Sequence, residues 1–373
     1  MTELLYRPGL EGIIAGETAI STIDGGLLYR GYPVEELCDQ TSFDEVAYLI
    51  LYGELPSASA LEEFNGRLKQ AATLPDAVVA TIQSIPESAP FMDVMRTGAS
   101  LLAHWDPDVG DDSREANLRK SERLLAQLPL VMATRFRSKH GKSLVAPNPE
   151  LSFAGNVLYL LNGEVPSAAH TKAMDVSLIL YAEHEFNASA FASRVVCSTL
   201  SDIHSSITAA IGALKGPLHG GANERVMEVL QEVGQPEHAD AWVRNALANK
   251  VKIMGFGHRV YKTGDPRAKY LKAFCAELAA DTGNEAMERM ADTIESVVTG
   301  EKGLPPNLDW PSARLYYYMG LPIELYTPLF VVSRVTGWSA HVIEQLGHNR
   351  IIRPRSNYTG ESKRAVVPLS QRA

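Results

Sequence analysis

Helical periodicity is the feature of this sequence that most limits its fold. Apolar residues recur at three- and four-residue spacing through long segments, the pattern of amphipathic helices. Such segments lie at 90–104, 114–137, 167–185, 193–211, 224–232, 238–249, 266–281, 283–299 and 324–346. Glycine and proline fall at the joints between them, as at Gly163 and Pro217. Because strands do not alternate with these helices, a doubly wound α/β fold is disfavoured. The pattern predicts an all-α fold.

Near the N-terminus the pattern changes to two short extended runs. Residues 20–23 and 27–29 flank an Asp-Gly-Gly sequence at 24–26, which is typical of a tight turn. We therefore expect a short N-terminal β-hairpin. Farther along, Ser42 and Ser59 each precede a glutamate by three residues, which is the spacing of a capping box and predicts two helix starts.

The length of 373 residues allows two domains. The sequence contains no repeat of 20–50 residues and no low-complexity linker, so a second domain is expected as an insertion in the helical body. Glycine-rich segments at the front edge of this insertion could serve as hinges. We expect a large helical domain formed by 1–220 and 316–373, and a small helical domain at 221–315.

Composition limits the partners and the compartment. The net charge of −9 disfavours a nucleic-acid groove or an anionic membrane surface. Cys38, Cys197 and Cys275 are far apart and lack CxxC spacing, which favours buried thiols over disulfides or a thiolate metal site. No apolar run approaches the roughly 20 residues that span a bilayer, and the N-terminus lacks the pattern of a signal peptide. We expect a cytoplasmic protein.

Two glycine-flanked histidines are the first candidates for chemistry. His219, in the segment GPLHGGANE, lies on a turn that leads into a helix, where backbone N–H groups favour anionic oxygen. His258, in GFGHRVYK, lacks the third glycine of a dinucleotide fingerprint. It is followed by a group of cations, Arg259, Lys262, Arg267 and Lys269. So many cations in an acidic chain indicate an anion site, although a solvated loop and a basic helix start remain open as alternatives.

Asp309 and Arg334 are the next candidates. Asp309 precedes Pro311 by two positions, so it is either a helix N-cap or a carboxylate base whose pKa is raised by burial beside Trp310. Arg334 falls inside a long apolar helix, and buried arginine requires a partner. That partner is either an internal acid or a substrate carboxylate, which the planar guanidinium can bind with two hydrogen bonds.

Other catalytic motifs are missing from the sequence. It contains no HExxH, Walker A loop, Gly-x-Ser-x-Gly or cysteine and histidine cluster. The AEHE sequence at 182–185 places its acids and histidine around a helix rather than at i, i+4. We expect no metal site.

In this order, the motifs resemble those of the citrate synthase family. The matching segments are GPLHGGANE, GFGHRVYKTGDPR, NLD, FVVSRVTGW and RIIRPRSNYTG, together with the opening GLEGIIAGETAIS. The resemblance covers nearly the whole chain, and the ordered set is far more specific than any single motif. It implies an all-α enzyme whose smaller inserted domain closes over the substrate.

The resemblance also implies catalytic roles. Asp309 would take a proton from the methyl group of acetyl-CoA. His219 would hydrogen-bond the thioester oxygen as it becomes an enol or enolate. His258 would polarise the carbonyl of oxaloacetate and supply its proton as the carbon–carbon bond forms. No metal or other cofactor is implied, because a base, donors and positive charge suffice for this chemistry.

Further matches imply how the substrates bind. His184 corresponds to an oxaloacetate-binding histidine, and Arg267 and Arg334 correspond to carboxylate-binding arginines. Arg353 corresponds to an arginine that the other subunit of a homodimer contributes across the interface. The CoA adenine would rest against the backbone of roughly Val251–Gly257, including Gly255, with Lys262 as a phosphate contact.

Three alternatives remain open. A 2-methylcitrate synthase would use propionyl-CoA with the same apparatus, and one methylene is worth only about 1–3 kcal/mol of discrimination. Cleavage of citryl-CoA would run the chemistry in reverse. A non-catalytic helical dimer would be expected to lack at least one of His219, His258 and Asp309. The residues after Asp309, Trp310-Pro311-Ser312, depart from the aromatic pair and serine of many relatives, which leaves the shape of the acyl pocket open.

Overall fold

The structure, a computed structural model, describes residues 6–258, 261 and 264–372. These residues are predominantly helical, which confirms the predicted all-α class. The α-helices are α1 Val34–Gln40, α2 Phe43–Tyr52, α3 Ala58–Ala71, α4 Asp76–Ser84, α5 Phe91–Leu102, α6 Arg114–Lys139, α7 Phe153–Asn162, α8 Ala168–Tyr181, α9 Ala188–Cys197, α10 Ile203–Leu214, α11 Ala222–Val233, α12 Pro236–Ala248, α13 Pro266–Thr282, α14 Glu285–Lys302, α15 Asp309–Tyr318 and α16 Tyr326–Gly347. Short 3-10 turns lie at Pro8–Leu10, Ala103–Trp105, Ile323–Leu325 and Leu369–Gln371.

The predicted hairpin is present and gains a third strand. Strands β1 Ser21–Thr22, β2 Leu28–Tyr29 and β3 Tyr32–Pro33 form one antiparallel sheet. The turn between β1 and β2 uses Gly25 and Gly26 at φ of 81° and 130°, which L side chains rarely adopt. The buried hydroxyl of Tyr29 donates to the carbonyl of Glu183 at 3.0 Å. This bond ties the sheet to the turn that follows α8.

Helix α16 forms the centre of the larger group of helices. Every residue from Tyr326 to Val342 is buried, as expected of a helix that is apolar on all sides. It packs against α2, α5, α6, α8, α9 and α10. A buried scaffold on every side fixes the orientation of the polar residues that α16 carries.

Helices α11 to α15 pack largely on one another. Helix α12 lies on α14, α13 lies on α15, and α11 lies on α15. The group also contacts the larger set, through α11 on α16 and α13 on α8. Within the described ranges, no helix combines the length and the apolar character needed to cross a bilayer.

Two local predictions need correction. The single helix expected at 193–211 is two helices, α9 and α10, because Leu200 has a left-handed φ of 66° and Asp202 caps α10 through the N–H of Ser205. The second capping box is displaced, since Ser57 rather than Ser59 caps α3. The first capping box, at Ser42 and Glu45, is confirmed.

Candidate active site

Four parts of the chain meet where the sequence motifs predicted a site. They are the turn between α8 and α9, the loop before α11, the segment 255–258 beside the start of α15, and one face of α16. We call that face the α16 stripe. Its residues repeat at helical spacing and face the end of α8 or the chain that follows it; they are Phe330, Arg334, Gly337, Trp338 and His341.

His219 is held as a neutral hydrogen-bond donor. Its Nε2 accepts from the backbone N–H of Ser189 at 3.3 Å and lies 2.8 Å from the Ser189 hydroxyl. Because Nε2 accepts a hydrogen bond, the proton of the neutral ring belongs on Nδ1. Burial, and then the positive charge of Arg334, lower the pKa of His219 to about 4. The Trp338 indole donates to the same serine hydroxyl at 3.0 Å and fixes it.

The glycine after His219 has a steric reason. A Cβ at Gly220 would lie 2.3 Å from the carbonyl oxygen of Leu214, so only glycine allows this tight turn at the end of α10. The sequence prediction of a histidine presented by a tight turn is confirmed in this respect. The turn leads directly into α11, as expected.

Asp309 has the environment of a general base. It is the first residue of α15 rather than its N-cap, which is Leu308, so the N-cap interpretation is wrong. Its Oδ1 accepts from the hydroxyl of Tyr181 at 3.1 Å, and that hydroxyl lies 2.7 Å from the Ser312 hydroxyl. The surrounding protein removes water from the carboxyl and raises its pKa to about 6, against the lowering effect of the Tyr181 bond.

His258 is carried by a segment that pairs with the chain before α15. The N–H of Gly257 donates to the Pro305 carbonyl at 2.8 Å, and the N–H of Asn307 donates to the Gly255 carbonyl at 2.9 Å. These two hydrogen bonds fix the position of the His258 segment relative to the start of α15, where Asp309 lies. The N–H of Tyr261 donates to His258 Nδ1 at 3.2 Å, which leaves Nε2 as the protonated nitrogen of a neutral ring.

The two glycines of this segment are required by the backbone. Gly255 and Gly257 have φ of 88° and 73°. A Cβ at Gly255 would also lie 2.8 Å from Val226 and 3.0 Å from the Trp310 ring. Val251, at the start of the same segment, is exposed.

His184 lies beside His258. Their ring centroids are 5.3 Å apart, and His184 Nε2 lies 3.2 Å from the Tyr261 hydroxyl. His184 is buried, and burial holds its pKa well below the ordinary value, with further lowering by Arg267 and Arg334. The ring is therefore neutral at physiological pH.

The two predicted arginines differ in their partners. Arg267 is buried and donates through Nε and Nη2 to the carboxylate of Asp265, at 2.9 and 2.8 Å. Asp265 also accepts from the N–H of Leu308 at 3.1 Å, so this ion pair is joined to the start of α15. The internal pairing that the sequence left open for Arg334 is found at Arg267 instead.

Arg334 is buried without an ion partner. Its Nε donates to the Tyr181 carbonyl, and its guanidinium lies 4.5 Å from the centroid of the Phe330 ring. In the part of the chain that the structure describes, no carboxylate lies within ion-pair distance of it. Burial lowers its pKa to about 10, so it stays charged at neutral pH. A buried cation in this state favours the substrate-carboxylate interpretation.

Phe330 and Tyr181 connect three of these residues, Asp309, Arg334 and His219. The Phe330 ring lies 4.5 Å from the Tyr181 ring and 6.3 Å from the His219 ring. Asp309, Arg334 and His219 are linked in this way through the Tyr181 and Phe330 rings. His184, His258 and Arg267 form a second group, linked by the contact of the two histidine rings and through Tyr261. Arg353 is exposed on the segment after α16, and Lys262 lies outside the described residues.

Sequence reasoning missed several residues of the site. These are Tyr181, Glu183, Ser189, Asp265, Asn307 and Trp338. Tyr181 and Ser189 flank the AEHE sequence, and a buried hydroxyl requires a partner, so the neighbourhood of His184 held a usable signal. The described residues contain no group of three or more metal-ligating side chains. Cys38, Cys197 and Cys275 are buried free thiols.

The chain was compared with known families, sequences and structures. Residues 9–355 match the family model described as citrate synthase, C-terminal domain. Citrate synthase 2 of Bacillus subtilis is 47% identical over 367 residues, covering 98% of this chain and 99% of that protein. The 2-methylcitrate synthase of Shewanella oneidensis is 46% identical over 372 residues, covering 99% and 98%.

Two solved structures of citrate synthases also match this chain over nearly its whole length. A citrate synthase from Thermoplasma acidophilum, in a ternary complex with carboxymethyl coenzyme A and oxaloacetate, matches with a TM-score of 0.92 and 34% identity, over 98% of this chain and 99% of that one. A citrate synthase from Pyrobaculum aerophilum matches with a TM-score of 0.90 and 40% identity, over 98% and 95%.

Proposed function

Because the chain belongs to the citrate synthase family of acyltransferases, we propose that it condenses acetyl-CoA with oxaloacetate and water to give citrate and CoA. The observation that carries this proposal is the pairing of a carboxyl whose pKa is near 6 with a neutral histidine donor beside a buried, unpaired arginine. Condensation of a weak carbon acid with a dicarboxylate requires a base for the carbon acid, a donor for the developing oxyanion and a positive group for the carboxylate.

The first step we propose is proton abstraction. With a pKa of about 6, Asp309 is ionised at neutral pH and is a stronger base than an ordinary aspartate. It takes a proton from the acyl methyl group while the Nδ1–H of His219 donates to the thioester oxygen. Stabilisation of the developing oxyanion by a preorganised donor is the main source of catalysis in such a step.

Bond formation and hydrolysis follow. The enolate carbon attacks the carbonyl carbon of oxaloacetate, and the Nε2–H of His258 gives its proton to the carbonyl oxygen as the carbon–carbon bond forms. The proton that Asp309 took from the methyl group then restores His258 and regenerates the base. Water then attacks the thioester of the resulting citryl-CoA, and the CoA sulfur leaves with a proton. Every group in this sequence is a side chain, the substrate or water, so the proposal includes no metal or other cofactor.

Oxaloacetate would be held by the arginines and by one histidine of the site. We propose that Arg334 binds one substrate carboxylate, because its guanidinium is buried and lacks an ion partner among the described residues. His184 and Arg267 would line the same pocket, and Arg353 of the partner subunit would complete it in a homodimer. The backbone of Val251–Gly257 would contact CoA, with Lys262 at its phosphates.

Closure would separate the reaction from bulk water. We propose that 221–315 acts as a small domain that closes over oxaloacetate bound to the large domain, 1–220 and 316–373. The mutual packing of α11 to α15 supports this division. The C-terminal boundary of the small domain, at residue 315, falls inside α15, so Asp309 would move with the small domain. A cytoplasmic location remains the prediction from sequence.

The acyl donor is the part of the proposal that has a specific rival. A 2-methylcitrate synthase and a citrate synthase are similar to this chain at almost equal identity, 46% and 47%. The deciding experiment measures CoA thiol release with oxaloacetate, comparing kcat/KM for acetyl-CoA and propionyl-CoA. A preference for acetyl-CoA supports citrate synthesis, whereas a preference for propionyl-CoA assigns the same mechanism to 2-methylcitrate synthesis.

Failure of both donors would reject the forward condensation. Citryl-CoA cleavage would then be assayed directly. A non-catalytic dimer would show neither reaction, and oxaloacetate would not raise its melting temperature. The enzyme that we propose shows such a rise, because a ligand that binds only the folded state stabilises it.

A further inference from the structure

A buried chain of polar side chains runs behind the oxaloacetate site. His341 Nε2 lies 2.8 Å from Glu183 Oε1, and Arg194 Nε donates to His341 Nδ1 at 2.9 Å. Arg194 in turn pairs with Glu344. The Ser21 hydroxyl adds a second donor to Glu183 Oε1, at 3.0 Å. Glu183 and His341 are both fully buried.

The hydrogen bonds determine the charge of each member. Arginine can only donate, so Nδ1 of His341 accepts and carries no proton. His341 is therefore neutral, with its proton on the Nε2 that faces Glu183, and Glu183 is the anion. Burial raises the pKa of Glu183, whereas the hydrogen bonds from His341 and Ser21 and the positive charge of Arg334 lower it. A buried carboxylate in this state requires a positive charge nearby.

Arg334 is positioned to supply that charge. Gly337 lies three residues farther along α16, on the same stripe, and a Cβ there would lie 2.2 Å from Glu183 Oε2. This oxygen has no hydrogen-bond partner in the described part of the chain. Arg194 is already bound by Glu344, whereas the partners that the described residues provide for the Arg334 guanidinium are the Tyr181 carbonyl and the Phe330 ring. The Glu183 carboxylate thus lies beside Gly337, about one helical turn along α16 from Arg334. The carboxylate and the guanidinium form no ion pair in the described part of the chain.

We propose that Glu183 is the resident counter-charge of Arg334, which balances the guanidinium in the substrate-free enzyme and weakens its attraction for the substrate carboxylate. This inference rests on the proposed function, because it concerns the affinity for oxaloacetate. It makes Glu183 a positioning residue that acts through Arg334 and does not touch the substrate. The neutral His341 keeps the carboxylate in place without cancelling its charge.

The test is the dissociation constant of oxaloacetate measured by calorimetry on the full-length protein. Glu183→Gln keeps an acceptor for His341 and Ser21 but removes the charge, so oxaloacetate should bind more tightly, by roughly threefold to tenfold for a dianion in a site of intermediate dielectric. The matched control is Glu344→Gln, which removes a charge from the far end of the same chain and should change the affinity little. Unchanged or weaker binding by a folded Glu183→Gln protein would overturn the inference.

A second variant covers the case in which Glu183→Gln does not fold. Glu183→Asp keeps the charge but shortens the reach to His341, so its oxaloacetate affinity should stay near that of the parent. Weaker binding by Glu183→Asp would mean that the geometry of the chain matters rather than its charge, and would reject the proposal. If the parent protein itself does not bind oxaloacetate, the proposed function fails, which is a different result.

Discussion

Asp309 takes a hydrogen bond from a side chain that no sequence motif marked, the phenol of Tyr181. Tyr181→Phe removes this donor, which favours the ionised carboxylate, so the pKa of Asp309 should rise above about 6. Because the base must be ionised, the acid limb of the kcat/KM profile should move to higher pH and activity at pH 6 should fall severalfold. The profile is measured between pH 4.5 and 8.5.

The control for this variant is Tyr316→Phe. Tyr316 is also buried, and its hydroxyl lies 2.7 Å from the Ser177 hydroxyl rather than bonding to Asp309. Both variants should lose about 1 kcal/mol of folding stability with one hydrogen bond. Only Tyr181→Phe should move the acid limb, and an identical limb in the two variants would contradict the role assigned to Tyr181.

Arg334 offers a second prediction for a single residue. Arg334→Ala should raise the dissociation constant of oxaloacetate by roughly ten- to a hundredfold, since hydrogen bonds to charged groups contribute about 1.5–3 kcal/mol each. Arg334→Lys keeps the charge but loses the planar fork, and should fall between the parent and the alanine variant. Equilibrium binding is the appropriate measurement, and parental affinity in Arg334→Ala would remove this residue from the site.

At the scale of elements, the contact between α16 and the turn after α8 depends on one glycine. A Cβ at Gly337 would lie 2.2 Å from Glu183 Oε2 and 2.4 Å from the Ala182 carbonyl oxygen. Gly337→Ala should therefore push α16 away from the turn that carries His184. We expect a loss of about 2 kcal/mol or more of stability, as for other overpacked interiors, together with weaker oxaloacetate binding.

Gly212→Ala, in α10, is the matched control. Gly212 is also helical, but a Cβ there would meet nothing within 4 Å. Alanine should stabilise this helix by roughly 0.5–1 kcal/mol through its higher helix propensity. Thermal unfolding of both variants separates the two effects, and equal stability changes would show that the space at Gly337 is not limiting.

The elements show what could be predicted from sequence and what could not. Helical periodicity located α11 to α14 to within a few residues. Each of these helices has one buried face, and the apolar residues of that face recur in the sequence at three- and four-residue spacing. The split between α9 and α10 was missed because Val195 to Leu214 keeps an apolar period across Leu200, where the backbone turns. An Asp-x-x-Ser sequence at 202–205 was the available signal for the second helix start.

The site was predicted unevenly for a related reason. Residues that belong to compact motifs, such as His219 and His258, were identified because glycines around them alter the local backbone. Tyr181 and Glu183 were missed because their partners lie 128 and 158 positions away in sequence. Periodicity reports which face of a helix is buried, but it does not report which side chain that face meets.

At the scale of the whole molecule, the homodimer that we propose can be tested by mixing two inactive proteins. Asp309→Ala lacks the base, and Arg353→Ala lacks the residue that would reach into the partner's site. If Arg353 acts across the interface, a mixed dimer has one intact site. Unfolding and refolding the two together should restore about a quarter of the parental activity, given random pairing of subunits.

The same experiment has a clear contrary outcome. If Arg353 acted within its own chain, each subunit of the mixed dimer would carry one defect, and activity would stay at the level of the separate variants. The exposure of Arg353, on the segment after α16, is consistent with the shared site. The control is the refolded parent protein, whose recovered activity sets the scale.

The position of α16 near the end of the chain has a consequence for biosynthesis. His341 leaves the ribosome 158 residues after Glu183, a delay of roughly 8–30 s at ordinary elongation rates. During that time the apolar surfaces of α2, α6, α8, α9 and α10 lack the helix that fills the space between them. We therefore expect that a product that ends before α16 aggregates rather than accumulates as a smaller folded protein.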